Sequence, residues 1–191
     1  MKKIIRMSRN IFKKGNIIGI MYINSNYLYY EEVDDIMKTT IDYDDIISID
    51  CSNNKIDDIK GISIFKNLYE FKCNDNKVKD FSELKLMKSL VYLSIRNNNI
   101  TKVPDLPSSL LELDISRNRL KNIDIKHLYN LKILNASFNM LQRISNKDFI
   151  REDNTIIEIH ELYLSHNNIK NFDLSINSLE KLCIDNNNIS S

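Results

Sequence analysis

Apolar residues recur along this chain in one fixed frame, seen in "LYLSHNNIKNF" from Leu162 to Phe172 and echoed in "LDISRNRLKNI" from Leu113 to Ile123. With an asparagine placed at the ninth slot, the first, fourth, sixth and eleventh slots are apolar. The frame fits at Asn54, Asn76, Asn98, Asn118, Asn139, Asn167 and Asn187, and an eighth copy, "IGIMYINSNYL", sits at Asn26. These asparagines lie 28, 22, 22, 20, 21, 28 and 20 residues apart. The fourth slot reads Met21, Ile49, Phe71, Leu93, Leu113, Leu134, Leu162 and Leu182. In a chain that is 42% apolar, agreement at every such slot is not chance. The Asn26 copy departs at one point: Glu31 stands where the next six copies place an apolar residue.

Alternation at slots four and six predicts a short strand whose apolar side chains point one way, with slots three, five and seven pointing the other. One such strand cannot bury its face alone. Successive copies therefore stack into a parallel sheet roughly 4.8 Å apart, with the returning segments behind it. Eight copies would form a curved slab about 35 Å long by that spacing. The expected fold class is an α/β solenoid, with short parallel β-strands on the concave face and irregular, 3-10 or helical segments on the convex face. Residues 1–16 are expected to cap the first copy, and residues 17–191 to form one domain of seven to eight repeats. The last copy closes on Ser191, so its edge is expected to be bare, or covered by a partner or a second copy of the chain.

The two intervals of 28 residues interrupt the rhythm. "ISNKDFIREDNTIIEI" predicts a helical turn or two on the convex side, capped by Ser145 or Asn146. "EEVDDIMKTTIDYDDI" predicts the same. Its Glu31, Glu32, Asp34 and Asp35 fit a solvated helix start better than a metal site, because nothing fixes a ligand geometry there.

The frame L-x-x-L-x-L-x-x-N-x-L and its 20- to 28-residue spacing resemble the leucine-rich repeat family, over roughly Ile17 to the C-terminus. "VPDLPSSLLELDISRNRL" resembles the short repeats of bacterial effector proteins. "IDDIKGISIFKNLYEF" looks more like those of an intracellular phosphatase-regulatory subunit. The resemblance implies a structural role for the ladder Asn26, Asn54, Asn76, Asn98, Asn118, Asn139, Asn167 and Asn187. Each amide would bond backbone groups of the neighbouring turn, so that the chain leaves its strand without orphaned polar groups.

Composition changes this picture little. The net charge of +1 argues against a strongly basic nucleic-acid binder. Ile, Asn and Lys abound beside three Gly, two Pro and the single Ala136, which suggests an AT-rich genome; the leucine-rich repeat proteins of insect poxviruses are similar in this respect. The longest apolar run near the start, Ile17 to Ile23, is too short to span a bilayer, so no membrane is expected. Three cysteines, an odd number, argue against a disulfide framework, and a cytoplasmic or nuclear setting is expected.

A search for chemistry yields none, and no enzyme, cofactor or metal is expected. His160 and His166 would lie roughly 20 Å apart along one strand, too far to share a metal. Cys51 and Cys73 occupy slot six of adjacent copies and should be stacked, buried thiols. Cys183, at slot five, should be more exposed, with no base beside it to make it a nucleophile. Gly15, Gly19 and Gly61 are isolated and form no phosphate loop.

The concave face remains. Its central positions gather Tyr92, Arg96, Glu112, Asp114, Arg117, Ile133, Asn135, Phe138, Tyr163 and His166. Aromatic and arginine anchors in a polar surround are the composition of a protein-binding hot spot, and the mixed charges do not suit a phosphate backbone. The expected function is an intracellular protein–protein interaction module that binds an unknown protein on this face. Two other readings stand beside it: a regulatory subunit docking on an enzyme such as a phosphatase, and a structural protein self-associating through its C-terminal repeat edge.

Overall fold

The computed structural model describes residues 3–7, 12–13, 16–17, 20–24, 27–31, 44 and 46–189. The strands are β1 (Lys3–Met7), β2 (Phe12–Lys13), β3 (Asn16–Ile17), β4 (Ile20–Asn24), β5 (Tyr27–Glu31), β6 (Ile46–Asp50), β7 (Glu70–Lys72), β8 (Tyr92–Ser94), β9 (Glu112–Asp114), β10 (Ile133–Asn135), β11 (Arg143–Ser145), β12 (Glu161–Tyr163), β13 (Asn171–Asp173) and β14 (Lys181–Cys183). Ten of them form one sheet in the order β14-β12-β10-β9-β8-β7-β6-β1-β5-β4. From β6 to β14 every pairing in it is parallel.

The fold is a leucine-rich repeat solenoid, and the frame dictates its layers. In the copies from Asn54 to Asn167, slots one, four, six and eleven are all buried, from Ile46 and Ile49 through Leu162, Leu164 and Ile169. Slot fourteen joins them: Ile59, Phe81, Ile123 and Ile144 are buried, while Val103 and Phe172 pack partly against the core. A single continuous core thus runs behind the sheet. Each repeat contributes about five apolar side chains, and a fully buried Leu or Ile is stabilised by roughly 1.5–3 kcal/mol relative to water. The sharp return between strands is made by 3-10 segments such as Ile62–Ile64 and Ser82–Leu86, preceded in the first case by Gly61 at φ 88°. Glycine adopts that left-handed backbone without steric cost, and its N–H donates to Glu83 Oε2 of the next copy at 2.9 Å.

The asparagine ladder has the role the resemblance implied. Asn118 Nδ2 donates to Ile95 O in the copy before it and to Ile115 O and Ser116 O in its own turn. Its Oδ1 accepts from Asn98 N and Ile100 N at 3.2 Å each. One buried amide therefore ties two successive turns together. Asn76, Asn98, Asn139 and Asn167 are buried and bonded in the same manner, and Asn54 and Asn187 are half-buried at the two ends of the series. Asn26 lies outside the described residues.

One expectation needs correction. The copy at Asn26 does not stack as the others do: β4 pairs antiparallel with β5, Met21 opposite Tyr30 and Ile23 opposite Leu28. The strand that lies beside β6 is β1, parallel to it and to β5 on its other side. A two-residue interval between β4 and β5 permits a hairpin but not the longer crossover a parallel pair requires. The insertion between Asn139 and Asn167 agrees with expectation at its lower bound: it holds one 3-10 turn, Asn146–Asp148, and no longer helix. Ser145 does cap it: its N–H and its hydroxyl both donate to Asp148 Oδ2, at 2.8 and 3.2 Å. Beyond the turn the chain folds back with Ile150 bridged antiparallel to Ile156 and Asn154 in the left-handed region at φ 66°. β11 then pairs in parallel with β13 to make a small second sheet behind the first. Of "EEVDDIMKTTIDYDDI", Glu31 belongs to β5, while Glu32, Asp34 and Asp35 lie outside the described residues.

Candidate functional site: the outward face of the repeat strands

The outward residues of the repeat strands form two straight rows. Slot three runs Ser48, Glu70, Tyr92, Glu112, Ile133, Glu161, Lys181, each opposite its neighbour in the adjoining strand. Slot five runs Asp50, Lys72, Ser94, Asp114, Asn135, Tyr163, Cys183. Adjacent strands lie about 4.8 Å apart, so side chains of neighbouring copies touch along each row.

Six of the expected site residues meet around one cleft of about 340 Å³: Tyr92, Glu112, Asp114, Ile133, Asn135 and Tyr163. Its two sides are fixed by bonds that the sequence reading missed. On one side Glu70 accepts from Ser48 Oγ at 2.6 Å and pairs with Lys72 Nζ at 2.6 Å. Partial burial raises the Glu70 pKa, yet the hydrogen bonds from Lys72 and Ser48 outweigh it and hold the carboxyl below its usual range. Tyr92 meets Tyr69 edge to face at 5.1 Å between centroids. A hydrogen bond with the Tyr69 hydroxyl, and then the fields of Glu112 and Glu70, push the Tyr92 phenol above its usual range. On the other side the Tyr163 hydroxyl donates to Glu161 Oε2 and accepts from Lys181 Nζ at 2.8 Å. Lys181 also sits 4.8 Å from the Tyr163 ring centroid, and its bond to that hydroxyl, aided by Glu161, raises its pKa. Both aromatic walls are thereby held in place before anything binds.

The other four expected residues stand outside the cleft. Arg96 pairs with Asp75 at 3.7 Å. Arg117, Phe138 and His166 form a second feature along the rim. The Phe138 ring stacks on His166 at 4.1 Å and 12°, and Arg117 Cζ lies 4.1 Å from the Phe138 centroid on the ladder's other side. Asn186 Nδ2 continues the line to His166 Nε2 at 3.3 Å. All of these residues occupy slot eight, and slot eight is left-handed in every copy from Asn54 to Asn187: Asn53, Asp75, Asn97, Arg117, Phe138, His166 and Asn186 have φ between 51° and 61°. Asn and Asp tolerate that region, whereas Arg, Phe and His adopt it at a cost. Three consecutive copies thus hold bulky side chains where the others hold Asn or Asp, and the stack partly offsets the strain. The signal was present in the sequence, since four of seven slot-eight residues are Asn or Asp.

Of the cysteines only Cys183 belongs to this face, at the end of the slot-five row. Cys51 and Cys73 are fully buried in adjacent copies, with Cys51 Sγ donating to Lys72 O at 3.3 Å. Burial above all, then the neighbouring Cys73, pushes the Cys51 thiol well up. Cys183 is half-buried, more open than either. His160 precedes β12 and approaches Glu180 at 3.5 Å, while His166 stacks on Phe138.

Comparison with known proteins agrees with this geometry. The family model for the Leucine Rich Repeat matches residues 89–110, the copy that carries Tyr92 and Asn98. Comparison with curated protein sequences found no match. Among solved structures, a leucine-rich repeat protein of Leptospira interrogans is similar, with 26% identity, a TM-score of 0.65, and coverage of 76% of this chain and 38% of that one. An internalin of Listeria monocytogenes is 20% identical with a TM-score of 0.59, covering 77% and 50%. The leucine-rich repeat domain of APL1B is 21% identical with a TM-score of 0.64, covering 79% and 46%. This chain therefore spans half or less of the proteins whose fold it shares, and nothing in these matches points to an insect poxvirus. The leucine-rich repeat fold is commonly a protein–protein interaction module, and the chain is similar to that family in its repeat frame, its asparagine ladder and its parallel sheet.

Proposed function

We propose that this protein binds a partner protein on the outward face of its repeat strands, in a reducing intracellular compartment and without catalysis of its own. The observation that carries the proposal is the cleft between Tyr92 and Tyr163, in which Tyr92 packs edge to face on Tyr69 and Tyr163 is bonded to Glu161 and Lys181. Side chains fixed in advance lose little entropy on binding, and buried aromatics are the usual anchors of interfaces. The test is capture of partners by tagged wild type and by a Tyr92→Ala, Phe138→Asn, Tyr163→Ala variant, with identification by mass spectrometry. Asn replaces Phe138 because that slot is left-handed and Asn occupies it elsewhere. A partner retained by the wild type and lost from the folded variant supports the reading; identical lists from both contradict it.

A further inference from the structure

We infer that the cleft recognises a cationic side chain, a lysine or arginine carried by a segment of the partner protein. The inference rests on the proposed binding face and gives that face a chemistry. The two outward rows hold five carboxylates, Asp50, Glu70, Glu112, Asp114 and Glu161, against two ammonium groups, Lys72 and Lys181. A chain of net charge +1 therefore turns an acidic face outward along its sheet.

Both cations on that face are already engaged. Lys72 is bound to Glu70 at 2.6 Å, and Lys181 to the Tyr163 hydroxyl at 2.8 Å beside Glu161. Of the remaining three, Glu112 and Asp114 line the cleft without a cation beside them. Among the described residues the Asp114 carboxylate accepts only the Ser116 N–H of its own turn, at 2.9 Å, and the Glu112 carboxylate has no hydrogen bond or ion pair. The two are separated by one residue on the same strand face, opposite Tyr92 and Ser94 on one side and Ile133 and Asn135 on the other. Tyr92 and Tyr163 lie three strands apart, about 14 Å by strand spacing, which leaves room for one extended segment between them. A long aliphatic stem ending in a positive group fits this arrangement: Ile133 and the tyrosine rings cover the stem, and Glu112 and Asp114 receive the charge. An acidic segment would meet like charge, and a purely apolar one would desolvate both carboxylates without replacing their water.

The experiment is selection of linear peptides from a fully randomised decapeptide library on immobilised protein, followed by anisotropy titration of the selected peptides. The wild type is expected to enrich Lys or Arg at least threefold over the input library. The double variant Glu112→Gln, Asp114→Asn should bind selected peptides about tenfold more weakly, in the upper range for exposed ion pairs. Binding to the wild type should also weaken from 50 to 500 mM salt. A control variant on the convex side, Asp57→Asn with Asp58→Asn, should bind as the wild type does, which separates the cleft from general acidity. No enrichment over bare resin, enrichment without Lys or Arg, or equal affinity for the double variant overturns the inference. Peptides lacking cations yet lost in Tyr92→Ala, Tyr163→Ala would leave the binding face standing and remove only its chemistry. Peptides indifferent to every substitution on the face would remove both.

Discussion

The two sides of each three-residue strand obey different rules. The inward side repeats: Phe71, Leu93, Leu113, Leu134 and Leu162 are all fully or almost fully buried, and Asn76 to Asn167 are bonded alike behind them. The outward side varies from copy to copy, from Glu70 through Tyr92, Glu112 and Ile133 to Glu161. Stacking constrains the first, because each copy must present its neighbour with the same surface. The second is tied to its neighbours only by lateral bonds such as Ser48–Glu70 and Lys181–Tyr163, and its composition is free to serve recognition. The solenoid separates stability from specificity by a single alternation of side-chain direction.

Thiol reactivity should break this comparison most visibly. Cys51 and Cys73 point inward and Cys183 outward, so a disulfide reagent should label one thiol of the native protein quickly. The other two should react about a thousandfold more slowly, limited by opening of the repeats. Three fast thiols would show that the stacked pair is not buried. Core truncation comes next. Leu134→Ala should cost about 3 kcal/mol in urea unfolding, whereas Tyr163→Ala, on the outward side of the adjacent strand, should cost less than about 1 kcal/mol. Asn118→Ala leaves two backbone N–H groups and three carbonyls without their partner, and should cost about 2–3 kcal/mol although it removes little apolar area. The smallest effect is expected at slot eight. Arg117→Asn should stabilise the protein by about 0.5 kcal/mol, because relief of the left-handed backbone exceeds the loss of one exposed cation–π contact. A loss of stability there would mean that the Arg117–Phe138–His166 stack outweighs the strain.

Much of the fold was legible because its period is written into the inward slots. The apolar frame named the buried residues, and the ninth-slot asparagines named the ladder, copy by copy. What escaped the frame was local chemistry that competes with it. The Ser-Asn pair between β4 and β5 is turn chemistry between two apolar runs, and there an antiparallel pair prevails over a copy that fits the frame at all but one slot. In the insertion before Asn167, Asp153 and Asn154 mark a reversal that follows the 3-10 turn; Asp153 Oδ1 accepts from Thr155 N at 2.9 Å. At the candidate site the rows were readable, but the bonds along them were not. The Tyr163 hydroxyl joins Glu161 and Lys181 only because the next copy places Lys181 opposite Glu161 in register. The gathering of Tyr92, Glu112, Asp114, Ile133, Asn135 and Tyr163 around one cleft, apart from the rim stack of Arg117, Phe138 and His166, likewise depends on the backbone at slot eight, which turns those three side chains along the rim.

The central claim is that the outward strand face is where this protein meets its partner. The most direct test is site-specific photo-cross-linking in cells, with a benzophenone amino acid placed at Ser94 in the cleft or at Leu86 on the convex side, where the native side chain is 66% exposed. A single discrete adduct from position 94, absent from position 86 and lost when Tyr163→Ala is added, is the result the account predicts. Adducts from position 86 alone would contradict it and place the interaction on the opposite side of the solenoid.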